Sequence, residues 1–265
     1  MLRLITACVL LPVVILTILK GAPWHFTLLL VLFGAVGLQE FFAMALPERR
    51  GELLPFALYG GLAVFTPLLP DGRFVLMTVA LFFLLAAFHF LFRLRDVASA
   101  GREVALVCTA FLYVPFLLAH LVMIRLLPQG TSWLFLIMLI VMTNDSAAYY
   151  IGSAFGKHRL YPAVSPNKSI EGALGGLLGS LCGTLIAKFT FFPQLGIADA
   201  LITALLVGVA GQVGDLFESL LKRSFGVKDS GSIIPGHGGV LDRLDSILFA
   251  APVTYYYACY LFGRF

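Results

Sequence analysis

Apolar residues in this chain fall in long unbroken runs, not at every second, third or fourth position. The runs cover roughly residues 4–23, 24–46, 53–69, 74–92, 104–127, 132–154, 171–190, 197–221 and 246–263. Most approach the ~20 residues that carry a helix through the hydrocarbon of a bilayer. A segment apolar on all sides has lipid or protein on all sides, and in lipid a helix satisfies its own backbone polar groups. The pattern predicts an all-α, polytopic integral membrane protein with about nine transmembrane helices, the third being the shortest. The first run follows Met-Leu-Arg, but no small-residue cleavage site leads from it into a polar domain, so a retained helix is expected rather than a signal peptide.

Composition agrees with the pattern. Of 265 residues, 60% are hydrophobic and 12% charged, and the mean hydropathy of +0.97 excludes a soluble domain. The lipid bilayer is the expected surrounding, and no nucleic-acid partner is expected. Cys8, Cys108, Cys182 and Cys259 lie in separate apolar runs with no CxxC pair, which indicates neither a disulfide framework nor a zinc site.

Charge adds an orientation. Thirteen of the eighteen Lys and Arg residues fall before the first run or in the second, fourth, sixth and eighth loops; Lys20, Arg73, Arg125, Lys188 and Arg264 fall on the other side. The positive-inside rule then places the N-terminus and the even-numbered loops in the cytoplasm. An odd number of spans leaves the C-terminus outside.

Polar residues inside the spans divide the chain. Residues 1–130 read as transmembrane scaffold, with one exception at Gln39-Glu40 in the second run. That Glu either has a partner or lines a cavity, or sits near a helix end with its head in the interface. Residues 131–265 read as the catalytic region, with cytoplasmic loops at 156–171 and 222–245. Asn144, Asp145 and Ser146 enter one span; Gln212, Asp215, Glu218 and Ser219 enter another. Between them, Gly175, Gly179 and Gly183 recur four apart on one helix face, a spacing that favours close helix packing over ligand contact.

Asp215, Glu218, Ser219 and Lys222 stand at i, i+3, i+4 and i+7, so they form a polar stripe on one helix face. Asp242 and Asp245 repeat the i, i+3 relation at the start of the last span. Carboxylates gathered on one membrane face repel unless cations hold them, and oxygen ligands suit a hard ion such as Mg²⁺. Lys222, Arg223, Lys228 and Arg243 surround them. Acids, bases and a glycine loop are what phosphoryl or nucleotidyl transfer requires. Taken singly, the same residues have plainer roles: Lys222 and Arg223 as interfacial anchors, Asp242 and Asp245 as helix caps, His237 as a structural hydrogen-bonder, Asp215 as half of an interhelical salt bridge.

Ser219-Leu-Leu-Lys222-Arg223, then Lys228-Asp229-Ser-Gly231, Pro235-Gly-His237-Gly238-Gly239 and Asp242-Arg243-Leu-Asp245 resemble the signature of the phosphatidate cytidylyltransferases, also called CDP-diacylglycerol synthases. Asn144-Asp145 with Tyr149 and Gly152 resembles the family's N-D-x-x-A-Y-x-x-G segment. Residues 165–172, Ser-Pro-Asn-Lys-Ser-Ile-Glu-Gly, are similar to its S-P-K-K-T-x-E-G loop, with Asn167 in place of Lys and Ser169 in place of Thr. These motifs run from about 144 to 246.

The resemblance implies a reaction: phosphatidate and CTP give CDP-diacylglycerol and pyrophosphate. It implies Mg²⁺, with room for a second cation, held by Asp215 and Asp242 with Glu218 and Asp245 beside them. Lys222, Arg223, Lys228, His237 and Arg243 would join Asp215 and Asp242 in catalysis. Asn144, Asp145, Ser165, Lys168, Glu171, Ser219, Gly238 and Gly239 would bind substrate, the glycines of 236–239 letting backbone N–H groups approach phosphate. A homodimer is expected. Two other readings stay open: a CTP-dependent lipid kinase of the polyprenol type, and an ion-coupled transporter with Glu40, Asp145, Asp215 and Glu218 as a relay.

Overall fold

A computed structural model describes residues 2–233 and 238–264, without the side chains of residues 2–10. Helices occupy each of the nine apolar runs. They are α1 (Leu2–Leu19), α2 (Pro23–Ala45), α3 (Leu54–Ala63), α4 (Arg73–Phe92), α5 (Val97–Arg125), α6 (Gly130–Phe155), α7 (Ile170–Thr190), α8 (Ile197–Ser224) and α9 (Leu241–Tyr260). α5 contains a π-helical segment at Leu112–Phe116, where Pro115 has no N–H to keep the regular ladder. Among the described residues, six of these, α2 and α4 to α8, are long and apolar enough to cross a membrane. This is an integral membrane protein. α3 has only ten residues, about 15 Å of helix against a hydrocarbon layer of ~30 Å, as the short third run foretold.

The chain forms two compact units. The first holds residues 1–123 and 229–243. Its core includes Phe41, Phe42, Phe82 and Phe111, the last two stacked with ring centroids 4.1 Å apart. Arg49 is buried beside it and ties separate segments together: its guanidinium meets Glu103 at 2.9 Å and Glu52 at 3.2 Å, and donates to the Arg93 carbonyl at 3.1 Å. Arg95 reaches Glu52 at 2.6 Å. Burial of a guanidinium is tolerable because two carboxylates and a carbonyl replace its water.

The second unit holds residues 124–228 and 244–265. α6 and α7 pack closely because the small residues of α7 face α6. A Cβ on Gly175 would meet the Ile151 side chain at 2.6 Å, and one on Gly179 would meet Ala147 at 2.6 Å. The glycine face is a packing face. The loop joining the two helices carries an antiparallel hairpin absent from the all-helical expectation, β1 (Arg159–Tyr161) and β2 (Ser165–Ser169), with Arg159 opposite Ser169 and Tyr161 opposite Ser165. Ser169 then caps α7, its hydroxyl accepting from Gly172 N–H at 3.1 Å.

Candidate active site

In the second unit, β2 ends by delivering Lys168 to α8. Its Nζ lies 2.6 Å from Asp215 Oδ2. Asp145 on α6 feels the charges of both, and Asp245 on α9 feels those of Asp215, Asp145 and Lys222. Three carboxylates from three helices thus share one neighbourhood with a hairpin lysine.

One turn beyond Asp215, Glu218 is 1% exposed and pairs with Lys222 at 2.5 Å, the i, i+4 partner on the same helix. The stripe expected from spacing exists, and its lower half is neutralised within α8. Arg223 turns toward the helix end, donating to the Val227 carbonyl at 3.0 Å. Lys228 is exposed, and Ser219 is partly so.

A polar clasp fixes where these groups stand. Asn144 donates through Nδ2 to Ser180 Oγ at 2.7 Å and to the Gly208 carbonyl at 3.4 Å, so it joins α6 to α7 and α8. Gln212 donates to Asn144 Oδ1 at 3.1 Å and to the Ala173 carbonyl at 2.8 Å. Asn144 adjoins Asp145, and Gln212 is one turn before Asp215. The clasp therefore sets the spacing of the two acids, and its amide groups find partners in each other, in Ser180 and in two backbone carbonyls.

The hairpin has its own anchor. Glu171 accepts from Lys157 N–H at 3.1 Å and His158 N–H at 3.2 Å, and lies 2.6 Å from His158 Nδ1. This holds the start of the hairpin against the first turn of α7. Ser165 opens β2 across from Tyr161.

In the first unit, Asp242 sits in the first turn of α9. Its Oδ2 accepts from Ser230 N–H at 2.9 Å, Ser230 Oγ–H at 2.8 Å and Gly239 N–H at 2.8 Å. Gly238 has φ +85°, a conformation that suits glycine, and a Cβ there would strike Asp242. Arg243 is exposed. His237 and Gly236 lie outside the described residues. Glu40 is 4% exposed and has partners, Val240 N–H at 3.0 Å and Leu241 N–H at 2.9 Å.

Asp199 gave no signal in the sequence beyond an acid in a first turn. It is 2% exposed, accepting from Tyr257 Oη–H at 2.5 Å and Gly263 N–H at 3.4 Å. Only the partners, 58 and 64 residues away, distinguish it from a helix-dipole acid.

The donor chemistry suits a hard cation. Among the described residues no three His, Cys, Asp or Glu side chains gather closely enough to hold a metal ion by themselves. Mg²⁺ does not require that, since it keeps waters and binds through one or two carboxylates together with substrate phosphates.

Residues 1–261 match the model of the cytidylyltransferase family. The chain belongs to that family. Within this cytidylyltransferase family, the chain is 37% identical over 242 residues to a phosphatidate cytidylyltransferase of Bacillus subtilis, an alignment covering 87% of each protein. It is 46% identical over 125 residues to the enzyme of that name from Staphylococcus haemolyticus, covering 47% of this chain and 48% of the relative. With the Staphylococcus saprophyticus enzyme it shares 37% identity over 179 residues, 66% of this chain and 65% of the relative.

Proposed function

We propose that this cytidylyltransferase condenses CTP with phosphatidate, giving CDP-diacylglycerol and pyrophosphate. One observation carries the reading: a hairpin lysine facing a membrane-helix aspartate, Lys168 on Asp215, in a chain that matches the family from residue 1 to 261. A phosphate oxygen of phosphatidate attacks the α-phosphorus of CTP; the bond to the bridging oxygen of the β-phosphate breaks, and pyrophosphate leaves with the electron pair. Phosphatidate keeps its acyl chains in the bilayer and its headgroup at the interface, where the charged ends of α6 and α8 and the hairpin stand. Its phosphate is already ionised near neutral pH, so the residues have charge to balance rather than a proton to remove.

Lys168, Lys222, Arg223, Lys228 and Arg243 are proposed to balance the phosphate charge, which grows on the leaving group. Asp215, Asp242, Glu218 and Asp245 are the proposed oxygen donors for Mg²⁺, with a second cation admissible. When bound, the ion would draw charge from the phosphate oxygens. Asn144 and Gln212 keep Asp145 and Asp215 in place, and Glu171 keeps Lys168 in reach through the hairpin. We propose further that the N-terminus, the hairpin and the 222–245 loop are cytoplasmic, where CTP is supplied, that the C-terminus is outside, and that the protein is a homodimer.

Purified protein given phosphatidate, CTP and Mg²⁺ should release pyrophosphate and form CDP-diacylglycerol in equal amounts. Label passing from γ-³²P-CTP into lipid would instead establish a kinase.

A further inference from the structure

Glu40 is a buried acid that the reaction described above leaves without work. It sits in the middle of an apolar stretch of α2, GLQEFF, yet is 4% exposed, and a carboxylate so placed is costly unless donors replace its water. The donors are backbone groups about 200 residues away. Oε1 accepts from Val240 N–H at 3.0 Å and Oε2 from Leu241 N–H at 2.9 Å, the unsatisfied amides that open α9. Oε2 also lies 3.3 Å from Ser230 Oγ, but that hydroxyl is 2.8 Å from Asp242 Oδ2. One proton cannot serve both, and the shorter contact takes it. Ser230 Oγ in turn accepts from Asp242 N–H at 3.2 Å.

The two ends of the glycine loop close around the same carboxylate. A Cβ on Gly231 would lie 2.6 Å from Glu40 Oε1, and one on Gly239 would meet Oε2 and the Ser230 hydroxyl. Neither glycine has a positive φ, so space rather than backbone conformation demands them. Residues 230, 231, 239, 240 and 241 therefore all pack on one side chain of α2.

We propose that Glu40 is a positioning residue: it grips the start of α9 and the two flanks of the glycine loop, and thereby fixes where Asp242 points. Asp242 takes its orientation from Ser230 and Gly239, whose own positions are set against Glu40. The inference rests on Asp242 being part of the reaction machinery.

Two variants perturb the grip from opposite sides. Glu40→Ala removes the carboxylate; Gly231→Ala pushes it away while leaving it present. Each should lower kcat by about a hundredfold, the scale expected when a reacting group is misplaced by ~1 Å, with KM for phosphatidate changed less than about twofold. Glu40→Gln keeps one carbonyl acceptor but turns an NH₂ toward the other N–H, and should fall between. Because the three atoms nearest a Cβ at 231 all belong to the Glu40 side chain beyond its Cβ, the double variant should be no worse than Glu40→Ala. Hydrogen exchange supplies the readout that activity does not: the amides of Val240 and Leu241 should be protected in the parent protein and exchange faster in both single variants.

Unchanged kcat in Glu40→Ala, unchanged protection of those amides, or additive losses in the double variant would each overturn the proposal. Should Glu40→Ala not fold, Gly231→Ala with the exchange measurement decides alone. A parent protein that makes no CDP-diacylglycerol would defeat the functional reading, while amide protection would still report on the grip.

Discussion

At the scale of single residues, the Lys168–Asp215 pair is the group most exposed to test. Its halves come from a hairpin and a membrane helix, 47 residues apart, and meet at 2.6 Å. Lys168→Met should lower kcat/KM for CTP about a hundredfold, as loss of one charge-stabilising donor does, and Lys168→Arg should recover part of it. A variant that only melts at lower temperature, with activity kept, would make the pair structural. Asp199 is the counter-example. It stands sixteen residues before Asp215 on α8, about 24 Å along the axis, so its bond to Tyr257 acts far from Asp215. Tyr257→Phe leaves the buried carboxylate without its hydroxyl donor, at an expected cost of about 1–3 kcal/mol. Thermal unfolding in detergent should register that loss, with specific activity of the folded fraction unchanged. The sequence could name Asp215 because an acid deep in an apolar run is conspicuous. It could not rank Asp199, nor give Glu40 its partners, because what defines both is a contact from remote sequence.

At the scale of elements, the apolar runs located the helices but not their ends: α5 starts at Val97 and α9 at Leu241, ahead of their runs, and the third run holds only the ten-residue α3 and a 3₁₀ turn. The hairpin was not visible: Ser-Pro-Asn-Lys-Ser has no alternation of apolar and polar positions and contains a proline, which strands seldom admit. It pairs because Glu171 and the Ser169 cap tie its ends to α7. The GxxxGxxxG spacing was legible, and its partner was not. In the structure the partner is α6, which carries Asn144 and Asp145, so glycine packing and site geometry are linked. Gly179→Val should separate α6 from α7, because a Cβ there already meets the Thr143 carbonyl and Ala147. Overpacking of this kind costs about 1–3 kcal/mol. Activity should fall with stability, and Gly179→Ala should do less than Gly179→Val. Equal melting temperatures for all three proteins would mean the helices have room that the structure denies.

At the scale of the whole molecule, orientation turns on α3. Its ten residues, extended by a 3₁₀ turn at Thr66–Leu68, are too short to span ~30 Å of hydrocarbon in regular helix, and if the chain did not traverse there, every later loop would change sides. The Arg49 network sets the condition to be met: α3 and α4 together bring the chain back to the end it left. Glu52, just before α3, meets Arg95, just after α4, at 2.6 Å, and Arg49 reaches both the Arg93 carbonyl and Glu103. The chain therefore leaves and returns to the same end between residues 53 and 92, and the basic loops on either side of this excursion share one face, as the positive-inside rule requires. In a variant lacking the four native cysteines, a Cys at 95 or at 228 should react with an impermeant reagent only after the membrane is opened. A Cys at 71, at the tip of the α3–α4 excursion, should react in intact cells. Labelling of 95 and 71 from the same side would mean that α3 and α4 do not carry the chain across and back. Labelling of 228 in intact cells would put the proposed CTP-facing loop on the wrong side of the membrane, and the functional reading would fall with it.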